Sequence, residues 1–301
     1  MTNIKAWISA FRLRTLPLAL SSVGLGAFLA SSEGKFNASI CILSILTTLF
    51  LQILSNLAND YGDSIHGADK AENGRKGPER AVQSGAISLA SMKNAMILFG
   101  AFSLISGLGL LYVAFQHIDL MFVAYFVLGL LAIGAAIKYT AGSNPYGYAG
   151  LGDLSVFIFF GLVGVMGSYF LYNQEFVWLN VLPAITVGLF STAVLNVNNM
   201  RDIESDTKAG KRSIPVRIGR NAGAFYHAFL VLGGIVSALV FVYFKGFSAN
   251  HLLWLLGVPL TLINVRAVFA YSDPKKLDPF LKQMALSTLV FVLLLGIGIN
   301  L

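Results

Sequence analysis

Ala38-Ser-Ile-Cys-Ile-Leu-Ser-Ile-Leu-Thr-Thr-Leu-Phe-Leu-Gln-Ile-Leu-Ser-Asn56-Leu57 is an apolar run that continues without a break into Ala58-Asn59-Asp60-Tyr61-Gly62-Asp63. A run near 20 residues is long enough to cross about 30 Å of hydrocarbon as a helix. Similar runs recur along all 301 residues, of which 56% are hydrophobic and only 12% charged. The mean hydropathy is +0.74. Soluble domains carry about 25% charged residues, so a soluble globular fold is excluded. Lipid leaves no backbone group unpaired, which restricts the choice to helices or closed barrels. The alternating pattern of a membrane barrel is absent. The expected fold is therefore all-α: a polytopic bundle of nine transmembrane helices forming a single domain over residues 1–301.

The expected spans are Thr15–Ala30, Ala38–Leu57, Ala95–Phe115, Leu120–Ile137, Leu154–Tyr172, Phe176–Val197, Ala222–Phe244, Leu252–Tyr271 and Gln283–Leu301. With the N-terminus inside, basic residues from Lys5, Arg12 and Arg14 through Lys208, Lys211 and Lys282 fall on one side. The outer loops hold only Lys35 and Lys245. The positive-inside rule then places the N-terminus and the long loops Asn59–Met92 and Asn199–Asn221 in the cytoplasm, where they form a cap. The net charge of +7 follows this alternation, so it marks orientation in a cell inner membrane rather than nucleic-acid binding. No cleavable signal peptide is apparent. The single Cys41 permits neither an internal disulfide nor a thiolate metal site. The four histidines show no metal-binding spacing. Glycines at 161, 164 and 167, at 107 and 109, and at 129 and 134 lie inside spans, where they are expected to let helices approach closely.

Eight of the fourteen acidic residues fall in Asp60–Glu79 and Asp202–Asp206. Asn56, Asp60 and Asp63 are spaced i, i+4, i+7. Asn198, Asp202 and Asp206 are spaced i, i+4, i+8. Each set lies on one helix face at the end of an apolar run. Asn59 sits beside the first set and Asp69 follows in the loop. Carboxylate and amide oxygens are hard ligands suited to Mg²⁺, which completes its shell with water and phosphate oxygens. Two facing stripes would hold metal ions against a diphosphate. Surface salt bridges with loop arginines are the plainer alternative, but they dictate no spacing. Arg80 and Lys211 are the favoured phosphate-binding cations. The Lys138–Asp153 loop is dense in polar and aromatic groups. Lys138, Tyr139 and Asp153 are candidate substrate contacts there, with N-capping the simpler role for Asp153.

At these residues the chain resembles the UbiA superfamily of intramembrane aromatic prenyltransferases. The matching pieces are Asn56-x-x-x-Asp60-x-x-Asp63 and Asn198-x-x-x-Asp202-x-x-x-Asp206, closing the second and sixth helices. Four further stretches resemble its naphthoate-prenylating branch: Arg12-Leu-Arg14-Thr15-Leu-Pro17; Asn59-Asp60-Tyr-Gly-Asp63 with Gly67-x-Asp69; Gly77-Pro78-x-Arg80-Ala81-Val82 with Gly85; and Gly150-Leu-Gly152-Asp153. The first stripe departs from the family pattern by closing at Asp63 rather than one residue later. The resemblance implies an Mg²⁺-dependent enzyme. It would join the chain of a polyprenyl diphosphate to an aromatic acid, 1,4-dihydroxy-2-naphthoate, with loss of CO₂ and diphosphate, giving demethylmenaquinone for menaquinone biosynthesis. In that scheme Asp60, Asp63, Asp202 and Asp206 are catalytic, and with Asp69 they hold the metal. Asn56, Asn59, Arg80, Lys138, Tyr139, Asp153, Asn198 and Lys211 bind substrate. Another aromatic acceptor (4-hydroxybenzoate or homogentisate) is the nearest alternative. A membrane transporter using the carboxylates is a more distant one and requires acids deep within the helices.

Overall fold

Asn56 to Asp63 do not leave the second helix; they are its last turns. The structure, a computed structural model, describes residues 4–66 and 80–301. The expected ligand Asp69, with Lys70, Arg75, Lys76 and the Gly77-Pro78-Glu79 stretch, lies outside the described residues. Among the described residues the chain is helical, with no strand.

Helix α1 (Ile4–Phe11) and a 3₁₀ turn (Leu13–Thr15) lead into α2 (Leu16–Ser32). Then come α3 (Ala38–His66), α4 (Leu89–Phe115) and α5 (Leu120–Lys138). The fifth span is composite: α6 (Gly152–Val156), a π-helical stretch (Phe157–Gly167) and α7 (Ser168–Asn173). Helix α8 (Val181–Arg201) is followed by the short α9 (Ile203–Lys208), α10 (Ile214–Lys245), α11 (Val258–Ala270) and α12 (Pro274–Gly298). Nine helices among the described residues are long and apolar enough to cross a membrane, in the expected order. The chain is a multi-pass membrane protein.

Several helix ends show their causes in the sequence. The Ser88 hydroxyl accepts a hydrogen bond from the Ser91 amide and starts α4. Asp119 accepts from the Phe122 amide at 2.8 Å and starts α5. Asp273 accepts from the Lys275 amide, with Pro274 opening α12. Side-chain acceptors at these positions satisfy amides that have no partner within the helix. Gly219, at φ 81°, kinks α10 near its start, a conformation that glycine adopts without strain.

The helices outrun the hydropathy pattern mostly on the side bearing the polar loops. The second extends past Leu57 to His66, the sixth past Val197 to Arg201, the seventh begins at Ile214 rather than Ala222, and the ninth at Pro274 rather than Gln283. Hydropathy reads the greasy part of a helix, whereas its hydrogen-bond ladder continues into polar surroundings. The second stripe needs a correction. Helix α8 stops at Arg201, Asp202 leaves helical geometry at φ −102°, ψ 13°, and α9 then carries Asp206. Asn198, Asp202 and Asp206 therefore do not share one unbroken helix face.

Helix α8 is the central element, packed against α10, α12 and the π-helical stretch. Its core includes Phe190, which meets Phe291 edge to face with ring centroids 5.0 Å apart. A second core joins α1, α3, α4 and the 81–87 turn around Leu54, Leu57, Ile87 and Met92. Large apolar side chains such as Phe225, Phe229 and Tyr243 are exposed along the outside, as a lipid-facing surface requires. The glycine expectation holds in part. A Cβ on Gly161 would fall 2.7 Å from the Ala184 carbonyl oxygen and 2.8 Å from Gly188 Cα, so two backbones touch there. A Cβ on Gly164 would fall 2.8 Å from Ser22 Cβ, whereas Gly129 and Gly134 face no neighbour within 4 Å. Gly161→Leu is therefore expected to lower the melting temperature in detergent, with an overpacking cost of about 1–3 kcal/mol. Gly134→Leu is expected to leave it nearly unchanged. Equal melting temperatures for the two variants would contradict the close α8 contact.

Candidate active site

Asn56 anchors the turn between α1 and α2. Its Nδ2 donates to the Phe11 carbonyl at 2.9 Å and to Thr15 Oγ1 at 3.1 Å. Gln52, one turn earlier, donates to the same Thr15 hydroxyl at 3.2 Å. These bonds fix the 12–15 turn, in which Arg12 takes the left-handed backbone at φ 48°. Such a conformation costs a non-glycine residue about 1–3 kcal/mol and is kept where the surroundings over-determine it.

The next turns of α3 carry the acids. Both oxygens of Asp60 face backbone amides, those of Ala81 at 3.2 Å and Val82 at 3.4 Å. Asp60 therefore organises the turn after residue 80. Asp63 accepts from Arg80 Nη2 at 3.0 Å and from the Tyr148 hydroxyl at 2.9 Å. Asn59 accepts from the Thr140 hydroxyl, which also donates to the Ala58 carbonyl. Gly62 permits this approach, since a Cβ there would collide with the Thr140 backbone. His66 Nε2 meets the Gly142 carbonyl at 2.9 Å and extends the same seam. The 139–151 loop is thus fastened along the end of α3.

The second half contributes Asn198, Asp202, Asp206 and Lys211. The buried Arg201 grips both oxygens of Asp202 at 2.8 and 2.6 Å and donates to Asn198 Oδ1 at 2.9 Å. Lys211 Nζ lies 3.3 Å from Asp206 Oδ2. Burial pushes the Asp206 carboxyl up to about 6, against the pull of Lys211, and the nearby charges of Asp202 and Asp63 add to the rise. For Lys211 burial disfavours the charge, but the carboxylates of Asp206, Asp63 and Asp202 outweigh it and hold the amine protonated. One ammonium therefore stands in the field of acids from both halves of the chain.

A cavity of about 390 Å³ opens beside these groups. Its polar end is lined by Arg12, Thr15, Gln52, Asn56, Asn59, Asp63, Arg80, Tyr139, Asn198 and Lys211. Its walls are apolar, with Leu104, Leu108 and Leu111 from α4, Phe126 and Leu128 from α5, and Phe159, Phe160 and Val163 from the π-helical stretch.

Of the expected site residues, Asn56, Asn59, Asp63, Arg80, Tyr139, Asn198 and Lys211 come together on this cavity. Asp60, Asp202 and Asp206 are buried and do not line it. Lys138 does not join them; it is exposed at the end of α5, because one residue along a helix turns the side chain by about 100° and only Tyr139 faces inward. Burial pushes the Tyr139 phenol up to about 12, so it stays a neutral donor. Asp153 does not cap α6. Its side chain accepts instead from the Tyr226 hydroxyl at 3.1 Å, and it does not line the cavity. Thr140, with its bond to Asn59, had no signal in the sequence. Asp278 had none either; it accepts from Arg201 and lies in the first turns of α12.

The donor set suits a hard divalent cation. The donors gathered here are carboxylate and amide oxygens, several of them held by arginine, lysine or backbone amides. Among the described residues no three carboxylates or imidazoles converge tightly enough to cage a metal alone.

The sequence pattern described as the UbiA prenyltransferase family matches residues 19–292. The chain is 43% identical over 300 residues to a 1,4-dihydroxy-2-naphthoate octaprenyltransferase from Haemophilus influenzae, covering 99% of this chain and 96% of the relative. It is 42% identical to the enzyme of the same description from Escherichia coli, with the same coverage. Among solved structures, the apo form of a UbiA homologue from Aeropyrum pernix K1 superposes with a TM-score of 0.70 at 18% identity, covering 96% of this chain and 98% of that one. A UbiA homologue from Archaeoglobus fulgidus, bound to DMAPP and Mg²⁺, superposes with a TM-score of 0.62 at 19% identity over 95% and 99% of the two chains.

Removing this ammonium takes the ion-pair partner from the buried Asp206, while Asp63 keeps Arg80 and Asp202 keeps Arg201. Lys211→Met is expected to cost about 3–5 kcal/mol of stability, read as a lower melting temperature in detergent. Adding Asp206→Asn to that variant recovers part of the loss. An unchanged melting temperature in the single variant would contradict the pairing of Lys211 with Asp206.

Proposed function

Because the chain belongs to the UbiA prenyltransferase family, we propose that it transfers the polyprenyl group of a polyprenyl diphosphate to 1,4-dihydroxy-2-naphthoate, as a step of menaquinone biosynthesis. A C–C bond forms between the prenyl C1 and the ring carbon that carries the carboxylate. The C1–O bond to diphosphate breaks, and the carboxylate leaves as CO₂. The product has the demethylmenaquinone skeleton at the hydroquinone level. The observation that carries this reading is one cavity whose charged end joins Asp63 and Arg80 from the first half of the chain to Asn198 and Lys211 from the second, while its walls are apolar. The high identity to naphthoate prenyltransferases over nearly the whole chain supports the acceptor. The transporter alternative is disfavoured, since the two acidic clusters cap helix ends instead of lying at mid-span.

Asp60, Asp63, Asp202 and Asp206 would hold Mg²⁺, with Asp69 as a further candidate. The Mg²⁺ and DMAPP bound in the Archaeoglobus homologue support a Mg²⁺ requirement. When bound, Mg²⁺ draws charge from the departing diphosphate. The chain's own groups do the rest. Arg80 and Lys211 line the charged end, where a diphosphate accepts their hydrogen bonds. Asn56, Asn59 and Asn198 present amide groups to the same space. The apolar walls from α4, α5 and the π-helical stretch bury the isoprenoid tail. The 80–87 turn and the 139–151 loop cover the charged end and limit water, which would otherwise capture the allylic cation as an alcohol. Basic residues on the loops at this end support its lying, with the N-terminus, on the cytoplasmic side of a bacterial inner membrane.

Purified protein given polyprenyl diphosphate, 1,4-dihydroxy-2-naphthoate and Mg²⁺ should release CO₂ and yield the prenylated naphthohydroquinone by mass spectrometry. EDTA should stop turnover and added Mg²⁺ restore it. Asp60→Asn and Asp202→Asn should each lower kcat at least 100-fold while the protein still folds. Product formation with 4-hydroxybenzoate in place of the naphthoate would overturn the acceptor assignment. A proton on Asp206 competes with a cation. Mn²⁺ affinity should therefore fall as the pH drops through about 6, and Asp206→Asn should flatten that dependence. A pH-independent affinity in the wild type would contradict a role for Asp206.

A further inference from the structure

Arg201 divides its charge between two carboxylates. Its side chain is only 1% exposed. Nε and Nη2 bind the two oxygens of Asp202, Nη2 also reaches Asn198, and Nη1 donates to Asp278 Oδ1 at 2.5 Å. Asp278 is held from its other side by Arg14 Nη1, at 3.1 and 3.2 Å from its two oxygens. The charges alternate along the chain Arg14, Asp278, Arg201, Asp202. They come from four places: the 12–15 turn, the first turns of α12, the end of α8, and the break before α9. The reaction described above uses neither Arg14 nor Asp278.

A guanidinium that binds both oxygens of a carboxylate competes with any cation for them. How strongly it competes depends on what else draws its charge. We propose that Asp278 is a positioning residue for the reaction: by sharing Arg201 it loosens that residue's hold on Asp202, and Arg14 opposes it by engaging Asp278. This inference rests on the reading of Asp202 as a metal ligand. Without Asp278, the full charge of Arg201 falls on Asp202, and the carboxylate is harder for a divalent cation to recruit. Without Arg14, Asp278 holds Arg201 more completely and Asp202 is easier to recruit.

The two ends of the chain therefore have opposite effects, which a purely mechanical brace does not. The test is Mn²⁺ binding to detergent-solubilised protein without substrate, read from the electron paramagnetic resonance signal of free Mn²⁺. Asp278→Asn should weaken binding several-fold. Arg14→Gln, at the partly exposed end, should tighten it. Asp278→Glu should restore an affinity close to that of the wild type. Asp202→Asn serves as the control and should weaken binding more than any of the others. Wild-type Mn²⁺ binding by Asp202→Asn would remove the premise that Asp202 is a ligand. If instead Asp202→Asn binds weakly, but Asp278→Asn and Arg14→Gln shift affinity in the same direction or only lower the melting temperature, the chain is a brace and the proposal is overturned. Arg14→Gln alone still decides the sign if Asp278→Asn fails to fold.

Discussion

Carboxylates repel one another unless counter-charges draw them together: Arg80 pairs with Asp63 and Arg201 with Asp202, while Asp206 is paired by Lys211. That lysine stands 3.3 Å from Asp206 and within the field of Asp63 and Asp202. Asp63 reaches it from the end of α3, the other two from the segment beyond α8. The surrounding structure serves this meeting. Gly62 lets the 139–151 loop lie against α3, Asp60 shapes the turn that delivers Arg80, and Asn56 ties down the 12–15 turn. The contacts of Asp60 and Asn56 are buried and polar, and each would cost free energy if left half-satisfied. The site therefore has a defined shape before any ligand arrives.

Stability and chemistry pull in different directions at this end of the molecule. A carboxyl with its pKa raised to about 6 by burial is held by the fold at a cost, and hydrophobic residues of similar size would pack more cheaply. The compensation lies in α8, whose buried face joins α10, α12 and the π-helical stretch in one continuous core. The backbone contact at Gly161 and Gly188 brings two of those elements to touching distance. That rigid centre carries Asn198 and Arg201 at its polar end, where Arg201 sets the position of Asp202.

Much of this is legible in the sequence, for physical reasons. Lipid demands long apolar runs, so nine spans and their order can be read directly. Hard-ligand residues at helical spacing stand out in a chain with few charges, so Asp60, Asp63, Asp202 and Asp206 can be found, and so can Lys211 within a loop of them. Other features depend on three-dimensional direction and leave no local trace. The break at Asp202 is invisible because Asn198 to Asp206 has no helix-breaking residue. Lys138 and Tyr139 are adjacent, yet only the tyrosine faces inward. Asp153 looks like a helix cap, but it finds Tyr226 on α10 instead. Asp278 sits among lysines at the start of α12 and reads as surface charge until Arg14 and Arg201 are seen on either side of it.

The most direct test is a structure of the protein with Mn²⁺ and a non-hydrolysable polyprenyl diphosphate analogue, with the metal located by anomalous scattering. The account predicts the diphosphate at the charged end of the cavity, with manganese peaks between it and the carboxylates of both α3 and the α8–α9 segment. Manganese bound on one side only, or a diphosphate seated away from Lys211, would contradict it.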